Sequence, residues 1–486
     1  MPHDISLIAT IAAGFGLAMV LGLLAARLKL PPLVGYLLAG VAVGPATPGF
    51  VADIGLAGQL AEIGVMLLMF GVGLHFSFGE LMAVRRVAVP GALLQIGVAT
   101  ALGAGLGWLW GWGLGGSLVF GLCLSVASTV VLLRALEARG LLHSGGGQIA
   151  VGWLVVEDLV MVLVLVLLPA LAGGTTAPGG DSLGWTVALT LGKVVAFVAL
   201  MLVLGRRLLP RWLWWVAATG SQELFRLSVV AIALGVAFGA AALFDVSFAL
   251  GAFFAGMVMR ESEFSQRAAD ESLPLRDAFA VLFFVSVGML FDPAVLWEQP
   301  LQLLATVAVV LVGKTLAAVA LVLALRLPLG TAMTVGAGLA QIGEFSFILA
   351  GLGVALGVLP LQGQSLVLAA AMVSIAANSA LFPAMERLQQ RMVLRWPAAR
   401  RWALREDPLE AVPDSVPAAV LERPLVLLGH GRVGAAVANR LRAEGRPLVV
   451  AEQRREVVDE LRQAGVAAVC GDARLPEVLV QAHVAR

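Results

Sequence analysis

Thirteen apolar stretches, most of them about the length a bilayer demands, leave this chain few places to fold other than inside lipid. A membrane-crossing helix needs about 20 apolar residues. Such stretches occupy 5–27, 31–46, 55–75, 88–111, 115–136, 147–171, 183–207, 223–243, 246–261, 274–290, 299–325, 328–356 and 362–385. Composition agrees, because 60% of the residues are hydrophobic and 13% charged, whereas soluble domains carry about 25% charged residues. No single core could hide that much apolar surface. The first stretch has no basic region ahead of it and ends in Arg27 and Lys29, so it reads as a first span and not as a cleaved leader.

Charge placement tests the count. Cytoplasmic loops concentrate Lys and Arg. Loops after the odd-numbered stretches hold Arg27 and Lys29, then Arg85 and Arg86, Arg134 and Arg139, Arg206, Arg207 and Arg211, Arg260 and Arg267, and Arg326, and the segment after Met385 is basic. The intervening loops, near Gly49, Gly113, Thr176, Asp245, Pro293 and Pro360, hold none. One miscounted helix would invert the alternation, and it does not invert. The N-terminus is therefore expected outside and everything after about Met385 inside.

The expected organisation is a transmembrane unit over 1–385, a linker over 386–423 and a soluble fold over 424–486. In the last, PLVLLGHGRVG, PLVVAE and AAVCGDA alternate with helical patterns, giving β-α-β-α-β. Doubly wound nucleotide domains usually run to about twice this length, so the segment is read as the N-terminal part of one. Cys123 and Cys470 lack neighbours at metal-ligand or redox spacing and read as small hydrophobes. Nothing in the pattern calls for a structural metal or for nucleic acid.

Ionisable groups deep in a bilayer cost on the order of 2.5–3.5 kcal/mol each on insertion scales, so each is a functional candidate. Glu157 and Asp158 lie in GWLVVEDLVMVLVLVL, with Asp158 roughly 16 Å into its helix at 1.5 Å per residue, near the midplane of a core about 30 Å thick. A carboxylate there can hold either a proton or a desolvated cation, since burial and a nearby positive charge push its proton affinity in opposite directions. The alternative is a structural pair bridging to a neighbouring helix. Lys314, equally deep in VAVVLVGKTLAAVALVL, is the natural partner of Asp158 or Glu157. Lys193, in the similar string GKVVAFVAL, is its rival or serves structure or a dimer face.

Two stretches carry small, polar interruptions, one around Ser125, Ser128 and Thr129 and one around Gln341 to Glu344. Broken helices expose carbonyls and helix ends at mid-membrane, where transporters coordinate ions; close packing of small residues would also place Ser and Gly there. One break in each half of the chain favours inverted repeats. Glu62 and Glu344 sit nearer the ends of their spans, so a gating or structural role competes with ion binding. In the tail, Gly429, Gly431 and Gly434 form GxGxxG between a strand and a helix, with Glu452 ending the second strand. That arrangement suits a pyrophosphate at the helix N-terminus and ribose hydroxyls at the carboxylate.

With these residues in view, the chain resembles the Kef-type branch of the monovalent cation:proton antiporters, its YbaL-like members in particular. The resemblance rests on PLVGYLLAGVAVGP, EIGVMLLMFGVGLHF, GLCLSVASTVVLLRALE, the Glu157-Asp158 stretch, ALGAFFAGM, FFVSVGMLFDP and AQIGEFSFILAGLG, and the tail is similar to the start of an RCK-type (TrkA-N) regulatory domain. It implies an all-α polytopic bundle of about 13 helices with inverted repeats and broken crossing helices, followed by a partial Rossmann-like cytoplasmic domain. It further implies a homodimer in a bacterial inner membrane that works by elevator-like alternating access. Asp158 would carry ion and proton, Ser125 to Thr129 would lie at the helix crossing, and Lys314 would be the core lysine. Gly429, Gly431, Arg432, Gly434 and Glu452, with Asp472 at the third strand's end, would bind an adenine nucleotide (NAD(H), AMP or ATP). Glu157 departs from the pattern: glutathione-gated potassium members usually carry an amide there, and electrogenic sodium exchangers a second Asp. Potassium/proton exchange in the direction of K⁺ efflux is the leading expectation, with glutathione or an ancillary protein as further regulators. The alternatives are Na⁺/H⁺ exchange on the same fold and a ligand-gated K⁺ efflux channel, although no filter-like TVGYG is present. A membrane-anchored NAD-dependent oxidoreductase would leave Glu157, Asp158 and Lys314 without a purpose, so no enzymatic activity is expected.

Overall fold

The computed structural model of the chain describes residues 6–47, 53–75, 78–142, 144–173, 183–244, 246–260, 262–405, 424–452, 455–471, 473, 476–482 and 484. The helices are α1 (Ser6–Arg27), α2 (Pro32–Val43), α3 (Ile54–His75), α4 (Phe78–Leu109), α5 (Leu114–Ser125), α6 (Thr129–Glu137), α7 (Gly145–Gly173), α8 (Leu183–Leu200), α9 (Arg206–Ala217), α10 (Gln222–Phe244), α11 (Phe248–Arg260), α12 (Ser265–Met289), α13 (Val295–Glu298), α14 (Pro300–Ala308), α15 (Lys314–Ala324), α16 (Leu329–Leu339), α17 (Glu344–Ala355), α18 (Leu361–Arg395) and α19 (Pro397–Ala403). Single π turns, Met201–Gly205 and Val309–Gly313, join α8 to α9 and α14 to α15.

Among the described residues, ten helical stretches are long and apolar enough to cross a membrane, and the bent pair α16 and α17 makes an eleventh. The two further expected spans are α2 and α11, apolar helices of 12 and 13 residues. Proline sets several starts, at the first turn of α2 and α14 and just ahead of α16 and α18, where a missing N–H costs nothing. Helices outrun the hydropathy signal wherever they leave lipid. α4 starts at Phe78, ten residues before the apolar stretch, and α18 continues to Arg395. Arg206, Arg207 and Arg211, expected in a loop, lie on helix α9 with Trp212, Trp214 and Trp215 exposed beside them.

Counting α5 with α6, α8 with α9, α14 with α15, and α16 with α17 as one segment each gives thirteen, and their packing repeats with an offset of seven. α1 packs on α2 as α10 packs on α11, and α11 packs on α3 as α2 packs on α12. In the same way α5 lies on α4 as α16 lies on α15, and α7 on α4 as α18 on α14. The glycine contacts obey the same rule. A Cβ at Gly288 would stand 2.1 Å from the Leu37 carbonyl, and one at Gly73 would stand 2.2 Å from the Phe253 carbonyl, so both helix pairs touch backbone to backbone. An odd offset makes counterpart segments run in opposite directions, which is an inverted repeat. The contacts also sort the helices into two groups, α1–α3 with α10–α12 and α4–α7 with α14–α18, joined chiefly by α18 against α2.

The tail is a parallel sheet in the order β1-β2-β3, formed by Leu425–Leu428, Leu448–Glu452 and Ala467–Cys470. Leu425 is in register with Leu448 and Val449 with Ala467. Every residue of β2 is buried, as a central parallel strand requires.

Candidate functional site

The two broken segments cross, and the crossing is built largely from backbone. Between α5 and α6, Val126 and Ser128 are extended, and between α16 and α17 Gly343 is extended with a 43° bend across the break. The Gln341 side chain spans the gap in both directions. Its Oε1 accepts from the Ser128 N–H at 2.9 Å and its Nε2 donates to the Ser128 carbonyl at 3.0 Å. The Gly343 N–H donates to the Val126 carbonyl at 3.1 Å. These bonds answer the demand that unwound backbone in a membrane find partners inside the protein. Gly343 cannot be larger, since a Cβ there would lie 2.4 Å from the Ala127 carbonyl oxygen.

Four helix ends meet at this point, and buried charged and acidic residues answer them. Glu157 on α7, fully buried, accepts from the Ala127 N–H at 2.9 Å, with Trp153 and Gln95 beside the same carboxylate. Lys314, also fully buried, donates its Nζ to the Gln341 carbonyl at 3.0 Å, just past the C-terminal end of α16, where a cation is favoured. Asp158 is 3% exposed; its Oδ2 accepts from the Thr129 hydroxyl at 3.2 Å, while Oδ1 has no hydrogen-bond partner. Glu344 opens α17 at 2% exposure, and neither of its oxygens has one either. The π turn Val309–Gly313 immediately precedes Lys314, a one-residue insertion of the kind found at functional sites.

Several expectations are redistributed by this geometry. Lys314 lies in the electrostatic field of Glu157, and the charged neighbours of Asp158 are Glu344 and Glu157, while the hydrogen bond of Lys314 goes to the Gln341 carbonyl. Glu344 is not near a span end, because the break puts the first residue of α17 at the crossing. Ser125 turns its hydroxyl to Leu122 in its own helix, and Ser128 caps α6 by accepting from the Val131 N–H. Of the three hydroxyls, Thr129 alone reaches Asp158. Glu62 is exposed on the unbroken α3, which packs on α11 and α12, so it marks no helix break. Lys193 lies half-buried on α8, which packs on α7 and α10. Sequence reasoning missed Gln95, which donates to the Ser125 carbonyl, and Asn378, which donates to the Ala337 carbonyl. Each is a lone amide in an apolar span, a signal weaker than a formal charge but legible.

In the tail, Gly429 takes φ +86°, a Cβ at Gly434 would meet the Gly429 carbonyl at 2.2 Å, and Gly431 has open space around it. The hollow at this loop is lined by Leu427, Leu428, Gly429, Gly431, Arg432 and Val437, among others, above the N-terminus of the helix Arg432–Ala443. These are the features a pyrophosphate needs. Glu452 is buried and its Oε2 accepts from the His430 N–H at 2.6 Å, so this carboxylate also shapes the glycine loop. Asp472 lies outside the described residues.

Comparison with known proteins agrees with this architecture. Residues 15–387 match the family model described as sodium/hydrogen exchanger, transmembrane. The chain belongs to the sodium/hydrogen exchanger family. Residues 425–486 of this exchanger match the TrkA-N domain, a nucleotide-binding regulatory module. Over the whole chain and 86% of the relative, it is 57% identical to YbaL of Escherichia coli (strain K12), whose name assigns it provisionally as a cation/proton antiporter. It is 35% identical to K(+) efflux antiporter 4 of Arabidopsis thaliana over 75% of this chain and 62% of that one. The sodium proton antiporter MjNhaP1 of Methanocaldococcus jannaschii shares the fold, with a TM-score of 0.62 and 13% identity over 79% of this chain and 98% of that one. This exchanger is a multi-pass membrane cation/proton antiporter, not an enzyme.

Proposed function

We propose that this antiporter exchanges K⁺ for H⁺, with Asp158 holding the two ions by turns. The observation that carries the reading is a carboxylate 3% exposed, one oxygen unpartnered, set where two broken helices from opposite halves of the chain cross. Thr129 and helix-end carbonyls supply the remaining ligands for a dehydrated cation. A proton on Asp158 removes the charge that holds the cation, and the cation excludes the proton, which is the rule of obligatory exchange. Lys314 and Glu157 neutralise each other beside the site and keep the crossing intact whichever ion is bound. Potassium is favoured over sodium by the relatives named as K(+) efflux antiporters and by the TrkA-N module.

The two helix groups support alternating access of elevator type, in which α4–α7 with α14–α18 would move past α1–α3 with α10–α12, the latter also forming the interface of a homodimer. The basic-loop alternation supports an orientation with the N-terminus outside and residues 386–486 inside, and the Escherichia coli relative supports a bacterial inner membrane as the location. An adenine nucleotide would be held by Gly429, Gly431, Arg432 and Gly434, with Glu452 shaping the loop. When bound it supplies a regulatory signal and no chemistry.

The test is reconstitution into vesicles carrying a pH dye, with separate steps of K⁺, Na⁺ and Li⁺. K⁺ should drive a pH change that Asp158→Asn abolishes. Undiminished exchange in that variant refutes the site, and a response to Na⁺ alone moves the chain to sodium/proton exchange.

A further inference from the structure

We propose that Arg405 is a positioning residue that straps the cytoplasmic linker to the helix pair holding Lys314 and Gln341. The inference rests on the exchange site proposed above and adds the route by which the nucleotide-binding tail reaches it.

The turn between α15 and α16 is unusual at Arg326, a non-glycine residue with φ +64°, a left-handed conformation that ordinary side chains adopt only when their surroundings hold them there. The carbonyls on either side of it, Leu323 and Leu327, both accept from Nη1 of Arg405, at 2.8 and 3.4 Å. A guanidinium suits this place, because the C-terminal end of a helix carries the negative end of its dipole, and a carbonyl oxygen such as that of Leu323, which also accepts from the Arg326 N–H, has two lone pairs. Arg405 is brought there by α19, which packs on α16 and α18 with Ala399 fully buried. Arg400 folds α19 back by donating to the Val393 and Leu394 carbonyls at the end of α18.

At the other end of the same hairpin, Lys314 begins α15 and Gln341 follows α16, and the two are bonded at 3.0 Å. The pair α15–α16 is thus closed at both ends, by Lys314 on the carbonyl of Gln341 and by Arg405 on the turn. α15 has 11 residues, so the ends lie roughly 16 Å apart at 1.5 Å per residue. Arg405 is also the last described residue before the tail, separated from β1 by residues 406–423 in the chain. Displacement of the tail on binding nucleotide would either tighten or release this strap. A hairpin closed at both ends passes such a change to the Gln341 bridge as a unit.

The experiment uses the full chain in vesicles, with exchange measured with and without NADH, AMP and ATP inside. Nucleotide should change the wild-type rate by on the order of tenfold, within the usual range of coupling between sites. Arg405→Ala should retain exchange that Asp158→Asn still abolishes, yet lose the response to nucleotide. Arg405→Lys, which can reach at least one carbonyl, should restore part of it, and Arg400→Ala should keep it. Amide hydrogen exchange over residues 321–330 gives a second readout: nucleotide should alter protection there in the wild type and the lysine variant but not in the alanine variant. A wild-type response preserved in Arg405→Ala, or a wild type that no nucleotide affects, overturns the strap. Exchange that survives Asp158→Asn would sink the site reading instead, whatever Arg405 does.

Discussion

Gly343→Ala puts the crossing to a quantitative test. The backbone at Gly343 has φ −103° and ψ 177°, which alanine adopts freely, so any effect must come from space and not from strain. The added methyl would stand 2.4 Å from the Ala127 carbonyl oxygen, 2.7 Å from its carbon and 2.9 Å from the Ser128 Cα, all of them backbone. Relief requires the two segments to part by roughly 1 Å, because non-bonded carbon contacts settle near 3.5 Å. The Gly343–Val126 bond and both Gln341–Ser128 bonds, now 2.9–3.1 Å, would stretch beyond hydrogen-bond range. Overpacking alone costs about 1–3 kcal/mol, and each buried polar group left without a partner adds about 1–3 kcal/mol. Even the lower bounds together exceed the ~1.4 kcal/mol that corresponds to a tenfold change. The variant should melt measurably lower in detergent by tryptophan fluorescence and exchange at least about tenfold more slowly in vesicles. Gly351→Ala is the control, since its nearest neighbour is the Gln364 amide at 3.9 Å. Wild-type melting and wild-type exchange in Gly343→Ala would show that the two segments do not meet in the way described.

Two further outcomes follow from individual contacts. Lys314→Met and Glu157→Gln should each lower the melting temperature, because each leaves the other buried group without its opposite charge, whereas the double variant should recover part of the loss; thermal melting of all four proteins closes the cycle, and additive losses would refute the coupling. Gly434→Ala would drive a methyl to 2.2 Å from the Gly429 carbonyl, so titration with NADH or AMP should show binding lost while basal exchange persists.

What could be read from the sequence divides along a physical line. Formal charge in lipid is costly enough to be conspicuous, so Glu157, Asp158 and Lys314 stood out, and the spans announced themselves by hydropathy. The partnership of Lys314 with Glu157 did not, because adjacent residues on one helix point about 100° apart and nothing in the string says which one faces α15. Glu344 was misplaced for a related reason: a break moves a helix end into the middle of the protein, and distance along the chain no longer measures depth. The π turn before Lys314 has no sequence signature at all. The roles of Ser125, Ser128 and Thr129 depend on which way each hydroxyl turns, and a run of small polar residues leaves that open. In the tail, the glycine spacing marked the loop, but the bond from the His430 N–H to Glu452 needed the fold.

The seven-segment offset carries a consequence for energetics. Two halves with the same contacts but opposite direction need not be identical at any instant, and whatever asymmetry one adopts can be handed to the other. In the proposed mechanism, exchanging the conformations of the two halves would give a related structure that opens toward the other side of the bilayer. The chain would therefore need no internal spring to return after each passage, and a gradient of either ion across the bilayer would be enough to set the direction of net flow.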